Sequence, residues 1–369
     1  VPVISARGTD ERAALLPPEL LPLFDHSFIS SWDLFEEYVA RQVCAIVRST
    51  GLEQAFERGA TQSQAIAQAG LSARAAQVPV HWLVAMLIAR GRMQRIEDAG
   101  EARYRLVQPF TLGPPEEIAQ AQERYDADCL PAYAIAAMAA QHYPGVLRGE
   151  VSGEQALFGA EGISAWVKYF ANANPLYAIS NRVGAIAVEQ NLGEGGAILE
   201  LGGGLGSGAQ ALLERLQSSD RLPPHYRFTE LSALFMKRAE RVLARWRPQV
   251  ELGQLDINRP FAEAGIAARS YAVVYGVNVV HIAHDLGATL REIRGALEPG
   301  GALVISECVR AFTDTPLPVE LIFNLLESFR APLLHPVWRP NGGFLTPEQW
   351  TAALRANGFK DVRVFPDIA

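Results

Sequence analysis

Cysteine is scarce in this chain of 369 residues: Cys44, Cys129 and Cys308 stand far apart. Three isolated thiols offer neither a disulfide framework nor the spacing of a structural metal site, and they fit a reducing, cytoplasmic setting. A broad Lys/Arg face is missing too. Lys+Arg total 33 against 40 Asp+Glu, for a formal net charge of -7. That balance excludes a nonspecific nucleic-acid binder, which needs a basic surface to track phosphates. No apolar run reaches membrane-spanning length and no signal-like segment opens the chain, so no membrane partner is expected. Charged residues are only 20% of the total, so some surface is expected to be covered by neighbours.

What is present is an ordered globular composition, 49% hydrophobic, in a chain too long for one minimal core. The first residue is Val1 rather than Met, which leaves open both a processed start and a domain cut from a longer polypeptide. Residues 1–25, interrupted by Pro17, Pro18 and Pro22, read as a lead-in segment. Residues 26–190 read as a mainly helical domain serving substrate binding and dimerisation, and 191–369 as a catalytic domain. Trp32, Leu34, Phe35, Tyr38, Val39, Val43 and Ile46 recur at helical steps and predict an amphipathic helix. Further helices are expected over 62–69 and 77–90. Short strands follow at Met93–Ile96 and Tyr104–Val107, the shape of a winged helix. The helix before that wing is strongly apolar (Val80, Trp82, Leu83, Val84, Met86), which points to packing or dimerisation rather than DNA reading.

The second half alternates strand and helix. Strands are expected over 197–201, 226–230, 249–255, 272–280 and 302–307, with helices beginning near 208, 232, 262 and 286. That order predicts an α/β, Rossmann-like parallel sheet covered on both faces, with ligands beyond the carboxyl ends of its strands. The run Ile198-Leu199-Glu200-Leu201-Gly202-Gly203-Gly204-Leu205-Gly206-Ser207-Gly208 is a strand, a carboxylate and a glycine turn entering a helix. Small residues there let a ligand approach main-chain N–H groups. Glu230 and Asp256 recur at the next two strand ends, where one carboxylate can take ribose hydroxyls and the other a base amino group. His281 ends the fourth strand. Each acid alone has a helix-capping alternative, which their repetition makes hard to sustain.

The run Ile198–Gly206 resembles the first motif of class I S-adenosylmethionine-dependent methyltransferases, and Leu297–Ile305 resembles a later motif of the same family. The resemblance implies S-adenosylmethionine as cofactor, with S-adenosylhomocysteine as product. It implies that Glu200, Gly202, Gly204 and Gly206 cradle the methionine end. Glu230 with Leu231 would take the ribose side, and Asp256 with Ile257 the adenine side. Asn278, Tyr177 and Arg182 would complete the pocket, although Tyr177 and Arg182 can equally pack and solvate the domain junction.

Narrower still, Asn278–Leu286 with Thr289-Leu290-Arg291, Pro299-Gly300-Gly301 and Glu307 resembles the methyltransferase domains of polyketide synthases. So do the helical segments Tyr143–Glu150, Leu157-Phe158 and Asn174–Tyr177. In the carbon-methylating members a His and a Glu form the catalytic pair, and these match His281 and Glu307. Both also have structural alternatives, a satisfied core histidine and a salt-bridging carboxylate. His284 is a further catalytic candidate beside them, and Asp285 a helix cap. His281, His284 and Asp285 alone are a weak ligand signature, and no metal is expected.

Residues 312–345, with an apolar helix before Pro332, read as a lid insertion, although buried core or dimer surface fits the same pattern. Thr346 is expected to cap a helix starting at Pro347. The leading expectation is methylation of the α-carbon of a β-keto acyl thioester presented by an acyl carrier protein, within or beside a larger polyketide synthase. O-methylation of a small natural product is the alternative enzyme reading. A non-catalytic scaffold is the third. A homodimer is compatible with the sequence.

Overall fold

The computed structural model describes residues 16–366 apart from 99, 108, 109, 111 and 112. The first fifteen residues of the expected lead-in lie outside this range. The chain divides into two compact units, each built from separated pieces of sequence. One comprises residues up to Ser30, Tyr177–Cys308 and Pro347 onward; the other comprises Ser31–Leu176 and Val309–Thr346.

The helical unit holds most of α1 (His26–Ser49), followed by α2 (Leu52–Glu57), α3 (Gln62–Gln68) and α4 (Ala73–Ala89). The apolar stripe of α1 is buried at Phe35, Tyr38, Val39, Val43 and Ile46, the three- and four-residue steps of a helix facing a core. Thr61 closes a reciprocal capping box with Gln64 at the start of α3, and Ser72 caps α4. The antiparallel pair β1 (Met93–Asp98) and β2 (Glu101–Leu106) follows as the wing. Then come α5 (Pro115–Tyr125), α6 (Leu130–Arg148), α7 (Gly153–Leu157) and α8 (Ala160–Tyr169).

The expected lid belongs by its packing to this helical unit. Its apolar helix is broken into α13 (Glu320–Phe323) and α14 (Glu327–Arg330), with α9–α12 lying in the catalytic unit described next. At the break the Leu325 main chain seats on Gly153, where a Cβ would fall 1.9 Å from the Leu325 oxygen. Glu320 is fully buried and has each need met. It accepts from Trp82 Nε1 at 3.1 Å, from the Leu317 N–H at 2.8 Å and from Arg310 Nε at 3.0 Å. The Tyr143 hydroxyl donates to the Leu321 oxygen at 2.9 Å, and Phe323, Phe329 and Phe344 pack together.

The catalytic unit opens on α9 (Pro175–Asn191), inside which the expected domain boundary near 190 falls. The helix is tied to the sheet and to the helix of residues 207–218: Ser306 Oγ donates to the Ser180 oxygen at 2.7 Å, and Arg215 on that helix pairs with Glu189 at 2.5 Å. The sheet comprises β3 (Ile198–Leu201), β4 (Tyr226–Glu230), β5 (Val250–Gln254), β6 (Tyr271–Val277) and β7 (Leu297–Ser306), all parallel, in the order β5-β4-β3-β6-β7. Between them run α10 (Ser207–Ser218), α11 (Ala233–Val242) and α12 (Leu286–Ala296), and α15 (Pro347–Ala356) follows later in the chain. The central strands β3 and β6 are buried nearly throughout, as covering on both faces requires.

Two expectations shift here. The fourth strand ends at Val277, because Asn278 turns into the left-handed region at φ +49. The element near 262 is a four-residue 3-10 turn, Phe261–Ala264, stopped by Gly265 at φ +72. Among the described residues no helix is long and apolar enough to cross a membrane.

Candidate active site

Where β3 ends, the chain reverses over Gly202 (φ +52) and Gly204 (φ +56) before α10. Gly202 is obligatory in two ways: its dihedral is left-handed, and a Cβ would fall 2.3 Å from Val279 Cγ2. At Gly204 no atom lies within 4 Å of where a Cβ would stand, so this side of the turn is open. Hydrogen bonds hold the turn rigid from behind. The Gly203 N–H donates to the Thr229 oxygen at 2.8 Å, and Thr229 Oγ1 donates to the Glu200 oxygen at 2.6 Å.

Glu230, at the end of β4, accepts from the Gly204 N–H at 2.9 Å and from the Ser232 N–H at 2.7 Å. One carboxylate thus fixes the glycine turn and the start of α11 together. Burial holds Glu230 above the usual carboxylate range, against the pull of those N–H donors. Leu231 beside it is 54% exposed. Gln254 Nε2 reaches the Leu231 oxygen at 3.0 Å and links the ends of β4 and β5. Asp256 lies two residues past β5, where its Oδ1 accepts from the N–H and side-chain amide of Asn258, and Ile257 is buried. An open glycine turn, an adjoining carboxylate and an exposed leucine thus stand together at the carboxyl end of the sheet.

Glu200 sits on the inner side of the turn. It is 1% exposed, and its Oε2 accepts from the Tyr226 hydroxyl at 2.9 Å. Burial pushes its carboxyl up to about 8; the Tyr226 bond opposes this, and the nearby Glu230 charge adds to it. On α9, Tyr177 is half-buried and hydrogen-bonds the Asn278 side chain, whereas Arg182 is exposed.

The buried imidazole of His281 lies in the 3-10 turn Val280–Ile282, just past β6. Its Nδ1 meets Glu307 Oε2 at 2.6 Å, and both side chains are almost wholly enclosed. The other carboxylate oxygen, Oε1, accepts the N–H groups of Val279, Val280 and His281 at 3.1, 2.7 and 3.3 Å. With Nδ1–H donating to the carboxylate, Nε2 is the nitrogen able to take a proton. His284 is exposed; its main-chain N–H donates to Asn258 Oδ1 at 2.7 Å. Asp285 caps α12 through the Ala288 N–H at 2.9 Å. Among the described residues no group of three His, Cys, Asp or Glu gathers in a way that could hold a metal ion.

The sequence reading passed over Tyr226, Thr229 and Asn258. Tyr226 and Thr229 look like ordinary strand residues, since sharing a sheet edge with Glu200 leaves no mark in their spacing. Asn258 did carry a signal, the Asp-x-Asn spacing of a side-chain-bonded turn.

Residues 199–303 match the family model described as a methyltransferase domain. With the parallel sheet, the glycine turn and the strand-end carboxylate, this makes the catalytic unit a class I S-adenosylmethionine-dependent methyltransferase domain. Its relatives are polyketide synthases. A highly reducing polyketide synthase, valA, of Aspergillus terreus is 35% identical over 176 residues, 45% of this chain and 7% of the relative. Polyketide synthase ThaG of Burkholderia thailandensis is 29% identical over 239 residues, 63% of this chain and 4% of the relative. The matched stretch therefore covers under a tenth of the length of either synthase. The CurJ carbon methyltransferase shares the fold, with a TM-score of 0.77 at 23% identity over 95% of this chain and 91% of that one.

Proposed function

We propose that this protein methylates the α-carbon of a β-keto acyl thioester held on a carrier protein, as one domain of a polyketide synthase or beside one, in the reducing cytoplasm. The observation that carries this reading is the enclosed His281–Glu307 contact of 2.6 Å at the carboxyl end of the sheet. The likeness in fold to the CurJ carbon methyltransferase and the polyketide synthase relatives support it.

S-adenosylmethionine, when bound, supplies a methyl group already activated on a sulfonium. The protein must then hold a carbon nucleophile in line and remove its proton. A carbon between a thioester and a ketone is acidic enough for imidazole to deprotonate. His281 Nε2 would take that proton and leave the carbon as an enolate nucleophile; the bound cofactor would supply the methyl, its sulfur–methyl bond breaking as the thioether S-adenosylhomocysteine leaves. Glu307 keeps the ring in the accepting tautomer and stabilises the imidazolium that forms. The three N–H donors on Oε1 hold the carboxylate oriented toward the ring. Glu230 and the open turn at Gly204 bind the cofactor.

The test is incubation with S-adenosylmethionine and short β-keto acyl thioesters, free and carrier-linked, followed by mass analysis in light and heavy water. A gain of one methyl with loss of one exchangeable α-hydrogen is expected. A product whose added methyl is a methoxy group on an enol ether, read by NMR in place of a methyl bonded to the α-carbon, would overturn the carbon reading. Cofactor binding without transfer to any substrate would leave a scaffold.

A further inference from the structure

We infer that Asn278 is a positioning residue for the base pair, fixing the main chain on both sides of Glu307; this rests on the reading of His281 and Glu307 as that pair. The Asn278 N–H donates to the Ser306 oxygen at 2.8 Å, immediately before Glu307. The Asn278 Oδ1 accepts from the Cys308 N–H at 2.8 Å, immediately after it. Glu307 returns the contact by accepting from the next three N–H groups along the chain, those of residues 279–281. The two segments are therefore stitched reciprocally, residue 278 to positions 306 and 308, and residue 307 to positions 279–281.

The backbone conformation makes this possible. At φ +49 Asn278 leaves β6 sharply, so its main chain and its side chain both reach the neighbouring strand. Asparagine tolerates the left-handed region better than most residues, and its short amide accepts where a hydrocarbon could not. The amide also bonds Tyr177, so the same side chain joins α9 to the strand pair. Without the amide, the Cys308 N–H loses its acceptor and Glu307 keeps only one of its two flanking anchors. The carboxylate is then free to rock relative to the ring, and displacement of that order lowers rate more than binding.

The discriminating variant is Asn278→Gly, which keeps the left-handed turn at no conformational cost and deletes only the amide. The expected result is a fall in kcat of about tenfold to a hundredfold, with KM for the thioester within about twofold of wild type. The low-field Nδ1 proton resonance of His281, assigned by its loss in His281→Ala, should weaken or vanish. Wild-type kcat and resonance in Asn278→Gly, or a loss confined to cofactor affinity, would overturn the inference. If the glycine variant does not fold, Asn278→Asp decides, because it retains the Oδ1 acceptor: a persisting resonance supports the assignment and its disappearance overturns it. His281→Ala separates the two levels. Wild-type turnover there removes the base-pair reading itself, whereas an inactive His281→Ala beside an unaffected Asn278→Gly removes only the role of Asn278.

Discussion

Among single residues, the proposed function divides binding from chemistry, and that division is measurable. His281→Ala should retain S-adenosylmethionine affinity within a few-fold by titration calorimetry while turnover falls by roughly 10²–10⁴. Glu230→Ala should do the reverse. It removes the acceptor for Gly204 and Ser232 as well as the proposed ribose contact, so the dissociation constant should rise at least about tenfold.

Glu200 has a different signature. Its carboxyl is raised to about 8 in the folded chain, so between the ordinary carboxylate range and that value the native state binds more protons than the unfolded state. Stability contributed by this group is then complete at low pH and is lost as pH rises toward 8. Glu200→Gln should melt at the wild-type temperature near pH 5 and progressively above it by pH 8, a divergence of a few kcal/mol at most, on the order of the shift itself. Parallel melting curves across that range would show Glu200 to be ionised throughout.

How much of this was legible in the chain differs residue by residue. Glu230 and the glycines are marked by local spacing, and His281 with Glu307 by resemblance to a family. The triple N–H cradle of Glu307 depends on a turn that only the left-handed Asn278 creates, and hydrophobic periodicity carries no trace of it. Arg182 and His284 look alike in sequence to buried site residues, yet both are exposed.

At the level of elements, β3, β4 and β6 were readable because each is short, apolar and followed by a capped or glycine-led helix. Ser232 and Asp285 caps mark α11 and α12. Less readable was the coupling between elements. The turn after β3 touches the turn after β6 through Gly202 and Val279, a contact 77 positions apart in the chain and invisible to any local pattern. That contact predicts an unusual double mutant. Gly202→Ala should destabilise by about 1–3 kcal/mol, from its dihedral and from overlap with Val279. Val279→Ala should recover part of that loss, because it removes the overlapping methyl but not the dihedral strain. Thermal denaturation of the four-member cycle measures the coupling, and strict additivity would refute it.

Across the whole molecule, the two units are interlaced in sequence, since residues 309–346 pack with the helical unit while the chain before and after them belongs to the catalytic one. A sequence reading divides a chain at points along its length, and so placed this segment with its neighbours. What assigns it elsewhere is long-range chemistry: the Glu320 carboxylate on Trp82, the Tyr143 hydroxyl on Leu321, and Phe323 against Trp166. A fragment of residues 177–369 should therefore expose the aromatic face of Phe323, Phe329 and Phe344. It should bind a hydrophobic dye and aggregate, which light scattering detects, whereas the full chain should do neither.

The interlacing also sets an order on synthesis. A ribosome that has released only the first 308 residues has made neither body whole, because one still awaits the Glu320 segment and the other α15, whose following Asn357 bonds Arg291 of α12. Both therefore close late and nearly together, only after the segment from 309 to 356 has emerged. Chaperone demand should accordingly persist until that segment is out rather than fall once residue 308 is made.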